Sequence, residues 1–232
     1  MTLNIADHKN ILLQILKDVY SDTTISPFLG FKGGTAAYIF YDLNRFSVDL
    51  DFDLLDETKK DLVFFKIKNI VKNYGKIKEE REKRFNLFFL ISYEEEAQNI
   101  KIEINRRSFN SQYELKTYFG ISMLVMKKED MFAHKLMAMY ERMGKTNRDI
   151  YDTWFFLKNN WPINKKIVEE RAKTAFKKVL SECIKKLEKL PERGILAGMG
   201  ELLDENQKSW AKVNLKKDIL FLLKLKLEND GV

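Results

Sequence analysis

The chain is predicted to be an α+β protein, a small mixed β-sheet core with flanking helices followed by a helical carboxy-terminal domain. Three observations predict this. Two short segments, SVDLDFDLL at 47–55 and KIEIN at 101–105, alternate apolar and polar residues with period two, as half-buried strands do. Longer segments repeat apolar residues at three- and four-residue spacing, as amphipathic helices do. Strand-like and helix-like segments interleave up to about residue 158, and only helical ones follow.

Taken in order, HKNILLQILKDVY at 8–20 puts Ile11, Leu12, Ile15, Leu16 and Val19 on one helical face. Ser26-Pro27 interrupts, and FLGFKG at 28–33 reads as a short strand ending in a glycine turn. A helix from Thr35 to about Leu43 precedes the acidic strand. Helical spacing returns over 56–74 through Leu62, Phe65, Ile67, Ile70 and Val71. The charged stretch KIKEEREKR at 76–84 leads into FNLFFLISY, a buried strand, and EEEAQN at 94–99 separates it from KIEINRR, whose Ile102 and Ile104 face inward. Residues 127–143 form a helix and RDIYDTWFFL at 148–157 begins another. NNWP at 159–162 marks a boundary, giving domains 1–158 and 159–232. Beyond it, 163–190 and about 208–228 are Lys-rich amphipathic helices, separated by a segment whose glycines break the periodicity.

With 232 residues, 45% of them hydrophobic, and only ten glycines and three prolines, the chain can bury a substantial core and is not a disordered tail. The single cysteine, Cys183, excludes a disulfide framework or a cysteine-based zinc site within one chain. His8 and His134 have no partner at metal-ligand spacing and read as structural or exposed. The amino terminus, MTLNIADHKN, lacks the basic start and apolar run of a secretory leader, and no stretch approaches the roughly 18 apolar residues of a membrane span. A cytoplasmic protein without a membrane partner is expected. The net charge of +7 is unevenly placed: 17 basic and 11 acidic residues lie from Lys158 onward, against 24 and 23 before it. Such a basic segment suits a polyanion such as RNA, and equally a solvated helical surface.

Side chains alternate along a strand, so Ser47, Asp49, Asp51 and Asp53 share one face while Val48, Leu50 and Phe52 take the other. Three like charges at two-residue spacing repel unless something positive sits among them. Mg²⁺ meets that need, because it takes oxygen ligands and binds through one or two carboxylates together with substrate phosphates. Gly33-Gly34-Thr35 stands between a predicted strand and a predicted helix, where backbone N–H groups and the helix dipole favour an anion. Glycine there removes the Cβ that would hold a phosphate away, and the Thr35 hydroxyl can donate to phosphate or cap the helix. A further metal-bridging carboxylate is expected from a neighbouring strand; Glu103, alternating with Ile102 and Ile104, is the candidate, with Lys101 and Asn105 on its face.

Gly33-Gly34-Thr35, then Arg45-x-Ser47-x-Asp49-x-Asp51-Phe52, then HKLMAMYERMGKTNRDIYDTWFFL at 134–157 together resemble the AbiEii/AbiGii toxin family, nucleotidyltransferases of the DNA polymerase β-like superfold. The resemblance runs in order through the first 157 residues. It implies that Asp49 and Asp51 bind metal, that Gly33, Gly34 and Thr35, with Ser47, contact the nucleotide, and that Lys135, Arg142 and the RD-x-x-D element of Arg148, Asp149 and Asp152 complete the functional set. Lys135 and Asp149 are expected as catalytic groups and Lys135 and Arg142 as phosphate-facing cations; the two cations, seven residues apart, fall on one helical face. Glutamate at 103 departs from the aspartate that many members of the superfold carry.

The expected function is transfer of NMP from an NTP to an acceptor with the help of two Mg²⁺ ions held by Asp49, Asp51 and Glu103. The resemblance further implies a bacterial toxin of a toxin-antitoxin or abortive-infection system, a cognate antitoxin, and tRNA or another RNA as acceptor. Two other readings stay open at this point: a nucleotidyltransferase acting on a small molecule or a protein hydroxyl, and a non-catalytic nucleotide- or RNA-binding module of the same fold.

Overall fold

A computed structural model of the protein describes residues 3–95 and 98–230; part of the expected break at 94–99 and both extreme termini lie outside the described residues. The chain divides into two compact units, Met1–Lys127 and Lys128–Val232, so that NNWP falls inside the second. Among the described residues no helix is long and apolar enough to cross a membrane.

The first unit opens with helix α1, Ile5–Ser21, started by the Asn4 side chain accepting from the Ala6 and Asp7 amides, a cap worth about 1 kcal/mol. Its buried Leu12, Ile15, Leu16 and Val19 are the expected apolar stripe. Strand β1 (Leu29–Lys32), helix α2 (Gly33–Phe40), strand β2 (Leu50–Leu54) and helix α3 (Lys60–Val71) follow, then strands β3 (Lys76–Glu82), β4 (Asn86–Ser92), β5 (Ile100–Asn105), β6 (Tyr113–Tyr118) and β7 (Ile121–Met126). Among the described residues these seven strands form one sheet in the order β3-β4-β5-β2-β1-β7-β6. The sheet is mixed: β2 runs parallel to β5 and β1 parallel to β7, while the remaining pairs are antiparallel.

Alternation makes this sheet two-faced. Phe31, Leu50, Phe52, Leu87, Phe89, Ile91, Ile102 and Ile104 are buried, each contributing roughly 1.5–3 kcal/mol as its side chain leaves water. Asp51, Asp53, Glu103 and Asn105 occupy the alternate positions. Three strands lie outside the sequence expectation. The charged stretch at 76–82 is the edge strand β3, where Glu80 and Glu82 pair with Lys68 and Lys60 of α3 at 2.5 Å each; charge on an edge strand discourages pairing with another chain. At the other edge β6 and β7 form a hairpin around Phe119-Gly120, both at positive φ, a two-residue turn that carries no Asn-Gly signature.

The second unit is helical: α4 (Lys128–Arg142), α5 (Arg148–Lys158), α6 (Lys165–Ala172), α7 (Phe176–Lys189), α8 (Glu205–Trp210) and α9 (Lys216–Asn229). The helix expected over 163–190 is two helices, because Lys173 closes α6 in the left-handed conformation. A five-residue π-helical segment, Ala211–Leu215, joins α8 to α9. The core is aromatic at one end, with the Phe156 and Trp161 rings stacked at 4.0 Å and the Trp154 and Trp210 rings 4.3 Å apart. Leu180, Leu187, Leu215, Ile219 and Leu223 continue it, and the lysines of α7 and α9 stay on the outside.

Candidate active site

The first turn of α2 is built against the acidic segment. Gly33 has φ +80, and a Cβ there would stand 2.9 Å from the Asp51 Cβ and closer still to its carboxylate; only glycine supplies both the left-handed backbone and the empty space. A Cβ on Gly34 would stand 2.7 Å from the Ser47 hydroxyl oxygen and 3.0 Å from an Arg45 guanidinium nitrogen. Thr35, buried, donates its hydroxyl to the Asp49 carbonyl oxygen. That bond ties helix to strand, so the hydroxyl neither caps the helix nor offers its proton to phosphate. Lys32 occupies the N-cap position without a side-chain capping bond, which leaves the first-turn amides for solvent or an anion.

Asp51 is paired in the sheet with Lys32 of β1 on one side and Glu103 of β5 on the other. The parallel register puts Glu103 where the sequence placed it. Lys101, two residues earlier on β5, holds its ammonium 3.5 Å from an Asp49 oxygen and 3.5 Å from a Glu103 oxygen, and the Asn86 amide donates to the other Glu103 oxygen at 2.5 Å. The Asp49 and Glu103 side chains are 14% and 33% exposed, open enough to receive a ligand.

These residues suit a hard cation. The donors are carboxylate oxygens, and the Lys101 ammonium already stands between two of them as a positive charge. Among the described residues no group of three or more His, Cys, Asp or Glu converges closely enough to cage an ion by itself. Mg²⁺ does not need such a cage, because it binds through one or two carboxylates plus phosphate oxygens.

The third aspartate has a different task. Asp53 is buried, with Lys32 Nζ at 2.6 Å, the Asn105 amide donating at 2.5 Å and the Tyr113 hydroxyl donating at 2.6 Å. Burial pushes its carboxyl up, but the Lys32 charge and the three hydrogen bonds outweigh that and hold it below the ordinary aspartate range. Tyr113 reaches it across Gly30, where a Cβ would collide with the ring. Asp53 thus locks β2 to its neighbours. Two further supports come from distant parts of the chain, and His8 takes the structural one of the two places its sequence reading left open. His8 is fully buried, its ring nitrogens 3.0 Å from the Val48 carbonyl and 3.0 Å from the Tyr93 hydroxyl; with Tyr113 it makes contacts that join residues 40 and 60 positions apart, and no local pattern signals them.

The second unit holds the other expected residues as one ion-pair network. Lys135 Nζ lies 2.7 Å from Asp152 and 3.4 Å from Asp149, and Arg142 lies 2.7 Å from Asp149. Both aspartates are fully buried and Arg142 is 44% exposed at its side chain. Buried carboxylates require such partners, so Asp149 and Asp152 clamp α5 to α4 through Lys135. Arg148, part-exposed, is the first residue of α5.

Comparison with solved structures finds the same fold in several, two of them from Helicobacter pylori. JHP933 from Helicobacter pylori is 23% identical with a TM-score of 0.63, over 100% of this chain and 96% of that one. A second H. pylori structure, assigned as a nucleotidyltransferase, is 21% identical with a TM-score of 0.62, over 99% of this chain and 98% of that one. At such identity the likeness shows the fold. No curated protein matches the sequence. A family model described as "Nucleotidyl transferase AbiEii toxin, Type IV TA system" matches residues 14–217. That match spans nearly the whole chain, both the unit bearing Asp49 and Asp51 and the unit bearing Lys135 and Asp149, and the protein is therefore a nucleotidyltransferase belonging to the AbiEii toxin family.

Proposed function

We propose that the protein transfers NMP from an NTP to an RNA acceptor, tRNA among the candidates, in a metal-dependent reaction centred on Asp49 and Asp51. The observation that carries this reading is the contact of Gly33 with Asp51: an anion-favouring helix start and a carboxylate pair are built into one another with no room for a methyl group. The first-turn amides of α2 would hold the β- and γ-phosphates, and Asp49, Asp51 and Glu103 are the residues that would hold up to two Mg²⁺ ions. Bound there, Mg²⁺ would neutralise charge that develops on the transferring phosphoryl group and on pyrophosphate.

The acceptor hydroxyl oxygen forms a bond to the α-phosphorus, the bond from that phosphorus to the bridging oxygen breaks, and pyrophosphate leaves. Glu103 takes the hydroxyl proton. Lys101, 3.5 Å from an oxygen of Asp49 and of Glu103, offsets the repulsion between the two carboxylates. Lys135 and Arg142 carry the roles that the family resemblance implies, contact with nucleotide phosphates, and Asp149 with Asp152 positions them. The toxin acts in the cytoplasm and is restrained by a cognate antitoxin.

The test is incorporation of label from each α-³²P NTP in turn into total bacterial RNA with Mg²⁺, comparing the protein with an Asp49→Asn, Asp51→Asn double variant of matched melting temperature. Label in an RNA band from the unaltered protein alone supports the reading. Equal label from the variant, or none from either with any NTP, overturns it.

A further inference from the structure

Beside the carboxylates lies a cavity of about 310 Å³ that none of the roles above uses, walled by Arg84, Phe85, Asn86, Glu103, Asn105 and Arg107. We propose that it is the acceptor subsite, and that it holds a nucleotide of a single-stranded RNA end with the base against the Phe85 ring and its phosphate between Arg84 and Arg107. The proposal rests on the nucleotidyl-transfer reading and deepens it.

Phe85 carries the argument. It is 47% exposed, although an aromatic ring of this size normally finds burial. The Arg84 guanidinium lies 4.9 Å and the Arg107 guanidinium 5.6 Å from its ring centre. An exposed ring flanked by two guanidinium groups is the pairing used to take single-stranded nucleic acid, with the ring stacking a base and the cations meeting phosphate.

The ring is also held in place. The Phe85 carbonyl accepts from the Arg106 amide at 2.8 Å, and Arg106 itself bonds the Lys83 carbonyl at 3.0 Å and pairs with Glu57. The tip of the β3–β4 connection is therefore fastened to the end of β5, and its cations and ring are arranged before any ligand arrives. A volume near 300 Å³ lies at the small end of ligand sites and admits about one nucleotide.

Position decides the role. Along the sheet the order is β4, β5, β2, β1. The glycine turn follows β1, the aspartates are on β2, and the cavity lies at β4 and β5, on the far side of the aspartates from the glycine turn. In-line displacement requires the attacking hydroxyl to approach the α-phosphorus opposite the departing pyrophosphate. If the glycine turn holds the pyrophosphate end, the acceptor enters from the β5 side. Glu103 belongs to both places, lining the cavity and pairing in register with Asp51.

The experiment measures binding of a 5′-fluorescein single-stranded oligoribonucleotide by anisotropy, and separately binding of each NTP with Mg²⁺ by calorimetry, for the full chain and for F85A, F85W and R107A. Both sites of change are on the surface, and melting temperatures verify folding. Expected are an oligoribonucleotide Kd raised about tenfold by F85A, as for loss of one stacked base, near-unaltered binding by F85W, a salt slope lower by about one in R107A, and unchanged NTP binding throughout. RNA binding that is absent, or indifferent to F85A and R107A, overturns the subsite. NTP binding lost in F85A instead assigns the cavity to the donor base and overturns the acceptor role. RNA binding that responds as expected in a protein that binds no NTP sustains the subsite while removing the transferase reading beneath it.

Discussion

Replacement of Gly33 by alanine should cripple the enzyme while leaving it folded. Two independent effects act at this position. The backbone sits at φ +80, which costs a residue with a Cβ roughly 1–2 kcal/mol. The new methyl carbon would also stand 2.9 Å from the Asp51 Cβ, where carbon atoms settle at about 3.5–4.0 Å. Relief requires a movement of roughly 1 Å, and the part free to move is the Asp51 carboxylate or the first turn of α2. Stability should fall by about 2 kcal/mol, and the melting temperature by several degrees for a chain of this size. Activity should fall far more, because a 1 Å misplacement of a positioned group is worth about 100-fold in rate. The assay is labelled NMP incorporation well below the melting temperature, alongside thermal unfolding followed by circular dichroism. Full activity in Gly33→Ala would refute the claim that Asp51 and the glycine turn act as one unit, even if the melting temperature fell as expected.

Lys135→Met should destabilise the second unit by about 3 kcal/mol, since Asp149 and Asp152 are fully buried and would lose a cation; chemical denaturation read through the Trp154 and Trp210 fluorescence reports it. His8 gives a pH signature. Burial lowers its pKa below the ordinary 6.5, against the raising influence of the Val48 carbonyl and the Asp49 charge, so the neutral ring is the folded form. Its contribution to stability is complete above pH 6.5 and is lost as pH falls through the lowered folded value, and a His8→Gln variant should flatten the melting temperature profile in that acid range. Cys183 is buried, and burial pushes its thiol up to about 12. A disulfide exchange reagent at pH 8 should therefore find no reactive thiol in the native protein and one after denaturation.

The elements that were legible in the sequence are those whose own pattern determines their environment. The stripe of α1 and the alternation of 50–54 and 101–105 each identify a buried face, and the glycines before α2 mark a turn that only they can make. β3 was not legible, because KIKEERE gains its strand from pairing with β4 and from the lysines of α3 rather than from any apolar alternation. The β6–β7 hairpin stayed hidden because Phe119, an unfavourable residue at positive φ, occupies its turn. The single helix expected over 163–190 failed at Lys173, where the period continues but the backbone reverses hand.

Within the site the same division holds. Residue type and spacing singled out Gly33, Gly34, the three aspartates at 49, 51 and 53 and Glu103 as candidates, and the family resemblance narrowed the aspartates to Asp49 and Asp51. Tertiary structure decided what each does: Asp53, indistinguishable from its two neighbours in sequence, is withdrawn by Lys32, Asn105 and Tyr113 into the fold. It decided equally that Thr35 bonds the Asp49 carbonyl, that Lys135 is engaged by Asp149 and Asp152, and that Phe85 stands bare between two arginines. The reason is physical: periodicity and turn chemistry act over a few residues, whereas the partner of a charge or a ring is whatever chain packing brings within a few ångströms, often from 20 to 60 positions away.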